Sequence, residues 1–416
     1  MPTTKILLGG VPFGCDNIGD EAILSCIVSI IRKICPSSDI TVSTADAIHT
    51  PRLLGVKTCP LYGFMTGLGY KQSFMQALKE SDVFIWSGAT GLSDYPNASL
   101  DIVSKAQKLG VKTVVFCTGM NDSLNPAHFK LNKGKKHALL NAASSLSGNT
   151  VDFVQRYEQK KEQQLRKHLK VVLDKCDLVV NRDLQSRQQL MKSYLTDLPL
   201  VAADPAITLS LKQPSNELWG SELVTFLDTD KKLLGVCISS QQELVEQKQF
   251  SSWLDHTIAT KNVRIVFIPM NPITDFETMS TIRNDMTHRH ETIIAKGSTL
   301  PESVAGLASK MDAIISSRLH LLIFASISAT PCIGIGRGSK VSNFLSEFGM
   351  CTAGNTQAIE FEHLEKELSK IFNEKPMFVA IAKTVHANML QRLQMGIKAL
   401  ETVLNPSAQA LKEPSR

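Results

Sequence analysis

Ten short apolar runs punctuate this chain, at 5–9, 39–44, 82–87, 111–117, 177–181, 233–238, 263–268, 291–295, 313–317 and 332–335. Each is rich in Val, Ile or Phe, and stretches of helical length separate them. A strand that is apolar throughout must be buried on both faces. Strands alternating with helices therefore predict parallel sheets covered on both sides. The pattern pauses at Leu211-Lys212-Gln213-Pro214-Ser215-Asn216 and then restarts. A length of 416 residues exceeds one ordinary core. The fold class expected is α/β, with two doubly wound Rossmann-like domains and a cleft between them. The first domain covers 1–212 and the second 213–377. A long amphipathic helix at about 378–404 and a polar tail at 406–416 follow. The helix is a candidate to pack back on the first domain, and the tail is expected to fray.

Composition excludes several classes. Aromatics are 6% of the chain, too few for a base-stacking surface, so nucleic acid is not expected as a partner. The nine cysteines are scattered, and none forms a C-x-x-C pair. Free thiols in a reducing cytoplasm fit this set. The N-terminus leads straight into a strand, with no signal peptide expected. The longest apolar region, 319–335, is broken by Pro331 and reads as core. Net charge is +6, concentrated in 130–175. There Lys133, Lys135, Lys136, Lys160, Lys161, Arg166, Lys167 and Lys170 fall within a segment of strong positive excess. A solvated helix face accounts for it. So does a patch facing an anionic acceptor at a membrane, which would place a cytoplasmic protein at the inner membrane face.

The loops after the strands carry the chemistry. Gly10–Gly14 reads as a turn, and Asn17-Ile18-Gly19-Asp20-Glu21 opens a helix at 19–33. This is not G-x-G-x-x-G, and two carboxylates in the first helical turn would repel a pyrophosphate. Nicotinamide and flavin cofactors are therefore not expected. Asn17 and Asp20 suit sugar hydroxyls, and they equally suit a turn and helix cap. Gly88 in Ser87-Gly88-Ala89-Thr90-Gly91 lets a ligand approach the backbone, and Asp94 follows as a candidate for sugar binding or base work. A plain turn fits the same residues. Arg182 closes the run 177–181, where it could meet an acidic ligand or pair with Asp183. Asp204, and Asp275 after Pro269-Met270-Asn271-Pro272, are weak turn signals alone.

The strongest unit is 313–340. A buried run ends in Ser317-Arg318-Leu319-His320, an apolar helix and a strand follow, and Lys340 comes next. Open α/β sheets bind ligands at such strand ends. Arg, His and Lys converging there suggest an anionic small molecule with phosphate or carboxylate groups. Histidine also titrates near neutral pH, so His320 is a candidate acid–base group. His288-Arg289-His290 lacks zinc-ligand spacing, and no metal is expected.

With these residues placed, the chain resembles the polysaccharide pyruvyl transferase family across most of 5–350. The resemblance rests on Asn17-Ile18-Gly19-Asp20-Glu21-Ala22-Ile23, Arg182-Asp183-x-x-Ser186, Ala203-Asp204-Pro205-Ala206 and, above all, Ser317-Arg318-Leu319-His320 with the downstream Lys340. It implies a GT-B-like fold with an acceptor-side first domain and a donor-side second domain. It implies phosphoenolpyruvate as donor substrate and no cofactor. A sugar or lipid-linked glycan would be the acceptor, and a pyruvate ketal the product. By resemblance Arg182, Arg318, His320 and Lys340 hold or activate the donor, with Leu319 at the substrate. Cys117-Thr118-Gly119-Met120-Asn121-Asp122 stands where the family pattern has a glycine-rich loop. A nucleotide-sugar glycosyltransferase of the same architecture, and a glycan-binding member without catalysis, are the alternatives.

Overall fold

The computed structural model describes residues 3–63, 68–148 and 150–405. The tail at 406–416, expected to fray, lies outside the described residues. The chain divides into two compact units. One comprises Met1–Pro12, Ile31–Ala202 and Gly396–Arg416; the other comprises Phe13–Ile30 and Ala203–Met395.

The first unit is built on β1 (Lys5–Phe13), β2 (Asp39–Thr44), β3 (Lys57–Pro60), β4 (Val83–Ser87), β5 (Lys112–Thr118), β6 (Leu178–Asn181) and β7 (Leu200–Val201). They form one sheet in the order β3-β2-β1-β4-β5-β6-β7. The pairs β2–β3, β1–β4, β4–β5, β5–β6 and β6–β7 are parallel. The order reverses between β1 and β4, the switch point of a doubly wound sheet. All five residues of β4 are buried, so this strand lies at the centre of the core. Phe84, Trp86, Phe116 and Phe74 fill that core.

The second unit repeats the plan with β8 (Lys232–Cys237), β9 (Val263–Phe267), β10 (Thr292–Ile294), β11 (Ala313–Ser316) and β12 (Cys332–Gly334). Their order is β10-β9-β8-β11-β12, with every pair parallel. The switch point falls between β8 and β11. All four residues of β11 are buried, as are Leu321, Leu322, Ile323, Phe324 and Ala325 in the helix Leu319–Ile327 that follows it. The apolar region at 319–335 is thus a core helix and strand. Among the described residues, no helix is long and apolar enough to cross a membrane.

Three features differ from the sequence expectation. The stretch expected as a turn at 10–14 is mostly strand, since β1 runs on to Phe13; Gly10 adopts φ +83°, and the Trp86 ring packs where its Cβ would be. β3 and β7 are edge strands of four and two residues, too short for a periodic signal. The units also do not divide at 212. Lys212 N donates to Glu302 O at 2.9 Å, and a Cβ on Gly306 would lie 1.9 Å from Lys212 O. The segment read as a linker is therefore packed on the helix Pro301–Ala308. Phe13–Ile30 counts with the second unit, where Ile18 N donates to Met270 O at 3.0 Å. At the other end, Gly396 lies against Ala202, Val180 and Phe116 in the first unit.

Candidate active site

In the second unit, the residues that follow β8, β9 and β11 meet around Arg318. The backbone stays extended at Arg318 (φ −96°, ψ 117°) before the helix Leu319–Ile327 begins. Ser316 holds this turn from both sides, its Oγ accepting from Arg318 N and donating to Arg318 O, each at 2.9 Å. Asp275, after β9, is fully buried and grips the guanidinium with both oxygens. Arg318 Nε donates to Oδ2 at 2.9 Å and Nη2 to Oδ1 at 2.6 Å. Ser240 N, Ser240 Oγ and Asn271 N also donate to Asp275. A bidentate pair with this many supporting donors fixes the guanidinium plane. Arg318 Nη1 has no hydrogen-bond partner among the described residues, so one corner of the fork is left for a ligand.

His320 sits in the first turn of the same helix. Its Nε2 is buried and lies 3.5 Å from Asp204 Oδ2, within ion-pair range but without hydrogen-bond geometry. Its ring rests on the Gly19 backbone so closely that a Cβ there would be 2.1 Å from Nδ1. Asp204 also caps its own turn, accepting from Ala206 N at 3.0 Å. Asn17 and Asp20 stand beside this histidine at the start of the helix Ile18–Ile34. Asn17 Oδ1 accepts from Gly19 N, and Asn17 Nδ2 donates to Asp20 Oδ2 at 2.7 Å. Burial pushes the Asp20 carboxyl above the usual carboxylate range, against the opposing pull of His320, Lys340, Asn17 and Arg318. Lys340 is in the first turn of the helix Ser339–Ser346, behind Gly338 at φ +76°. A cation there opposes the helix dipole, a placement that an anionic ligand would reward.

The other expected residues lie in the first unit. Gly88 (φ +75°) follows β4, its N–H donating to Phe116 O. Both Asp94 carboxylate oxygens are engaged, Oδ2 by Thr90 Oγ1 and Oδ1 by Asn121 Nδ2, each at 2.5 Å. Arg182 lies over Gly119, whose Cβ would be 2.4 Å from a guanidinium nitrogen, with Thr90 adjoining. Its Nε is 3.4 Å from Asp183 Oδ2, a buried pairing rather than a surface one. The loop at 117–122 is thus the floor under Arg182. Cys117 takes φ +53°, where the β5–β6 register slips. Ser87 Oγ, Thr118 Oγ1, Asn121 Oδ1 and Asn181 Oδ1 are buried there without partners among the described residues. Unsatisfied groups clustered at strand ends are uncommon in native cores and suit a polar ligand.

The structure therefore brings Asn17, Asp20, Arg318, His320 and Lys340 together, with Leu319 buried beside them. Gly88, Asp94 and Arg182 belong to a separate cluster in the first unit. In the sequence Asp275 reads only as a turn residue, and Asp204 as a weak turn signal that gains weight only through the family resemblance. What could have marked them is position, since each carboxylate follows a strand, Asp204 soon after β7 and Asp275 in the first turn of the helix Thr274–Asn284 after β9.

The family model of polysaccharide pyruvyl transferases matches residues 17–339. The chain belongs to the polysaccharide pyruvyl transferase family. As a member of that transferase family it has a GT-B-type fold, which solved structures also share. A putative UDP-N-acetylglucosamine 2-epimerase from Listeria monocytogenes superposes with TM-score 0.61 at 12% identity, covering 98% of each chain. S. aureus MnaA bound to UDP gives 0.63 at 10% identity, covering 99% of each chain. Anabaena Alr3699/HepE in complex with UDP-glucose gives 0.56 at 14% identity, covering 98% of this polysaccharide pyruvyl transferase family member and 99% of that chain. At such identities the likeness is one of fold. No curated protein sequence matches the chain.

Proposed function

We propose that this protein transfers a pyruvyl group from phosphoenolpyruvate to a pair of sugar hydroxyls, closing a pyruvate ketal on a polysaccharide or its precursor. The observation that carries the reading is the buried Arg318–Asp275 fork beside His320, with Lys340 in the adjoining helix turn. Phosphoenolpyruvate presents a carboxylate and a phosphate close together. Arg318, whose plane Asp275 fixes, binds one planar anion through its remaining N–H groups, and Lys340 adds a point charge. His320, braced by Gly19 and facing Asp204, gives its proton to the methylene carbon, making the adjacent carbon cationic. A sugar hydroxyl adds at that carbon and loses its proton. The second hydroxyl then attacks the same carbon and gives up its proton as the bond from that carbon to the phosphate oxygen breaks, so that inorganic phosphate leaves and the ring closes. Asp20 and Asn17 are placed to hold a hydroxyl. In the first unit, Arg182 is proposed as an anion-binding guanidinium, and Asp94 and Gly88 as hydroxyl contacts.

The test is thermal stability with phosphoenolpyruvate, UDP, GDP or inorganic phosphate. A ligand at 100 times its Kd adds about 2.7 kcal/mol, a clear melting shift. A shift with phosphoenolpyruvate that vanishes in Arg318→Ala supports the reading. A shift with UDP or GDP alone would replace it with a nucleotide-sugar transferase of the same fold. A fold that binds none of these would leave a glycan-binding role. Loss of the acid–base group in His320→Ala is expected to lower turnover by about 10²–10⁴-fold, with the melting temperature retained. Wild-type turnover in that variant would remove His320 from the mechanism.

A further inference from the structure

We propose that the helices Lys135–Leu146 and Phe153–Leu173 of the first unit form a docking surface for an anionic lipid bilayer. This surface is independent of the donor chemistry above. The helix Lys135–Leu146 is thinly buried, with Ser144 its one buried residue. Its outer side carries Leu139, 70% exposed, and Leu146, 90% exposed. These are seven residues apart, with Ala142 between them, so they share one stripe of the helix. Two leucines so far into water are unusual for a helix that only covers a core.

Cations gather beside the start of that stripe and along the adjoining helix. Lys136, three residues before Leu139 and so its neighbour on the helix surface, sits 4.0 Å above the Tyr157 ring. Lys161 approaches the same ring at 5.8 Å. The two ammonium groups therefore gather at one point where the helices meet. Phe153 N donating to Ser144 Oγ ties the same pair, and Leu131 N, in the loop before the shorter helix, donates to Glu158 Oε1 on the longer one. Lys160, Gln164, Lys167 and Val171 form an exposed stripe along the longer helix, at helical spacing. Arg166 and Lys170 are paired with Glu162 and Asp174. Lys135, Lys160 and Lys167 form no ion pair among the described residues.

The two kinds of side chain choose the partner. A soluble polyanion would satisfy the lysines and leave Leu139 and Leu146 in water. A bilayer with anionic headgroups satisfies both, since leucines enter the acyl boundary while lysines meet phosphates.

Co-sedimentation of the full chain with phosphatidylcholine vesicles, with and without phosphatidylglycerol, tests this. Binding is expected only with phosphatidylglycerol, and it should weaken as salt is raised. Each cation removed from a membrane-facing surface lowers partitioning about fivefold, so Lys160→Ala with Lys161→Ala and Lys167→Ala should lower it about a hundredfold. Leu139→Ser with Leu146→Ser should weaken vesicle binding while leaving retention on heparin unchanged. All five positions are exposed, so circular dichroism melts should match wild type. Equal partitioning onto neutral and anionic vesicles would overturn the proposal. So would vesicle binding that the leucine substitutions leave untouched. Retention on heparin without vesicle binding would assign the surface to a soluble polyanion instead.

Discussion

At the scale of single residues, the site is governed by buried charge. Arg318 is 6% exposed and Asp275 is fully buried, so neither ion has water to fall back on. Removing one partner of a buried pair typically costs about 3–5 kcal/mol, because the other is left uncompensated. Asp275→Ala is expected to lose about that much stability in urea denaturation. Arg318→Met added to it should recover part of the loss without restoring ligand binding. A loss below about 1 kcal/mol would mean that solvent or another group already balances Arg318. Asp20 behaves in the opposite sense. Burial raises its folded pKa, so the native chain holds a proton that the unfolded chain releases. Stability then falls as pH rises from the ordinary carboxylate range through the raised value. Asp20→Asn removes that loss. Its melting temperature should exceed that of wild type more at about pH 7 than at about pH 4, where both chains carry a neutral group. A gap that widens toward acid would show that Asp20 is held ionised.

At the scale of elements, strand ends and helix starts do most of the positioning. Arg318 and His320 were legible in the sequence because a buried strand, a polar pair and a buried helix follow one another without a gap. Asp275 was not, since its partner lies 43 residues away and its own surroundings resemble any Asn-Pro turn. The bend at Cys117 was also hidden, because a cysteine in an apolar run gives no sign of a left-handed backbone. The helix Pro301–Ala308 illustrates a packing constraint that sequence reading passed over. Gly306 faces the Lys212 backbone with no room for a methyl group. Overpacking of this kind costs about 1–3 kcal/mol, and backbone cannot swing aside as a side chain can. Gly306→Ala should therefore lower the denaturation midpoint by at least that range. A neutral result would mean that the 211–214 segment moves freely.

At the scale of the whole molecule, the chain passes between its two units at Pro12, Ile30, Ala202 and Met395. The sequence suggests one boundary at 212, with a last helix from about 378 as a candidate to pack back on the first domain. A fragment of residues 1–212 would carry Phe13–Ile30 without the partners it packs on, such as Met270. It would also lack Gly396 and Asn405, which contact Ala202 and the Ile34 carbonyl in the first unit. Expressed alone, this fragment should show helical circular dichroism but poorly dispersed amide resonances. Well-dispersed resonances would mean that the first unit folds without those segments.

The sequence by itself determined the α/β class, the parallel sheets, most strands to within a residue or two, and the family. Those properties follow from local hydrophobic period and from contiguous motifs, which a linear reading preserves. The tertiary structure decided the rest. It chose which carboxylate neutralises Arg318, what braces His320, and which segments complete each unit. Such contacts join residues far apart in sequence, and burial sets their energies, so no local pattern encodes them.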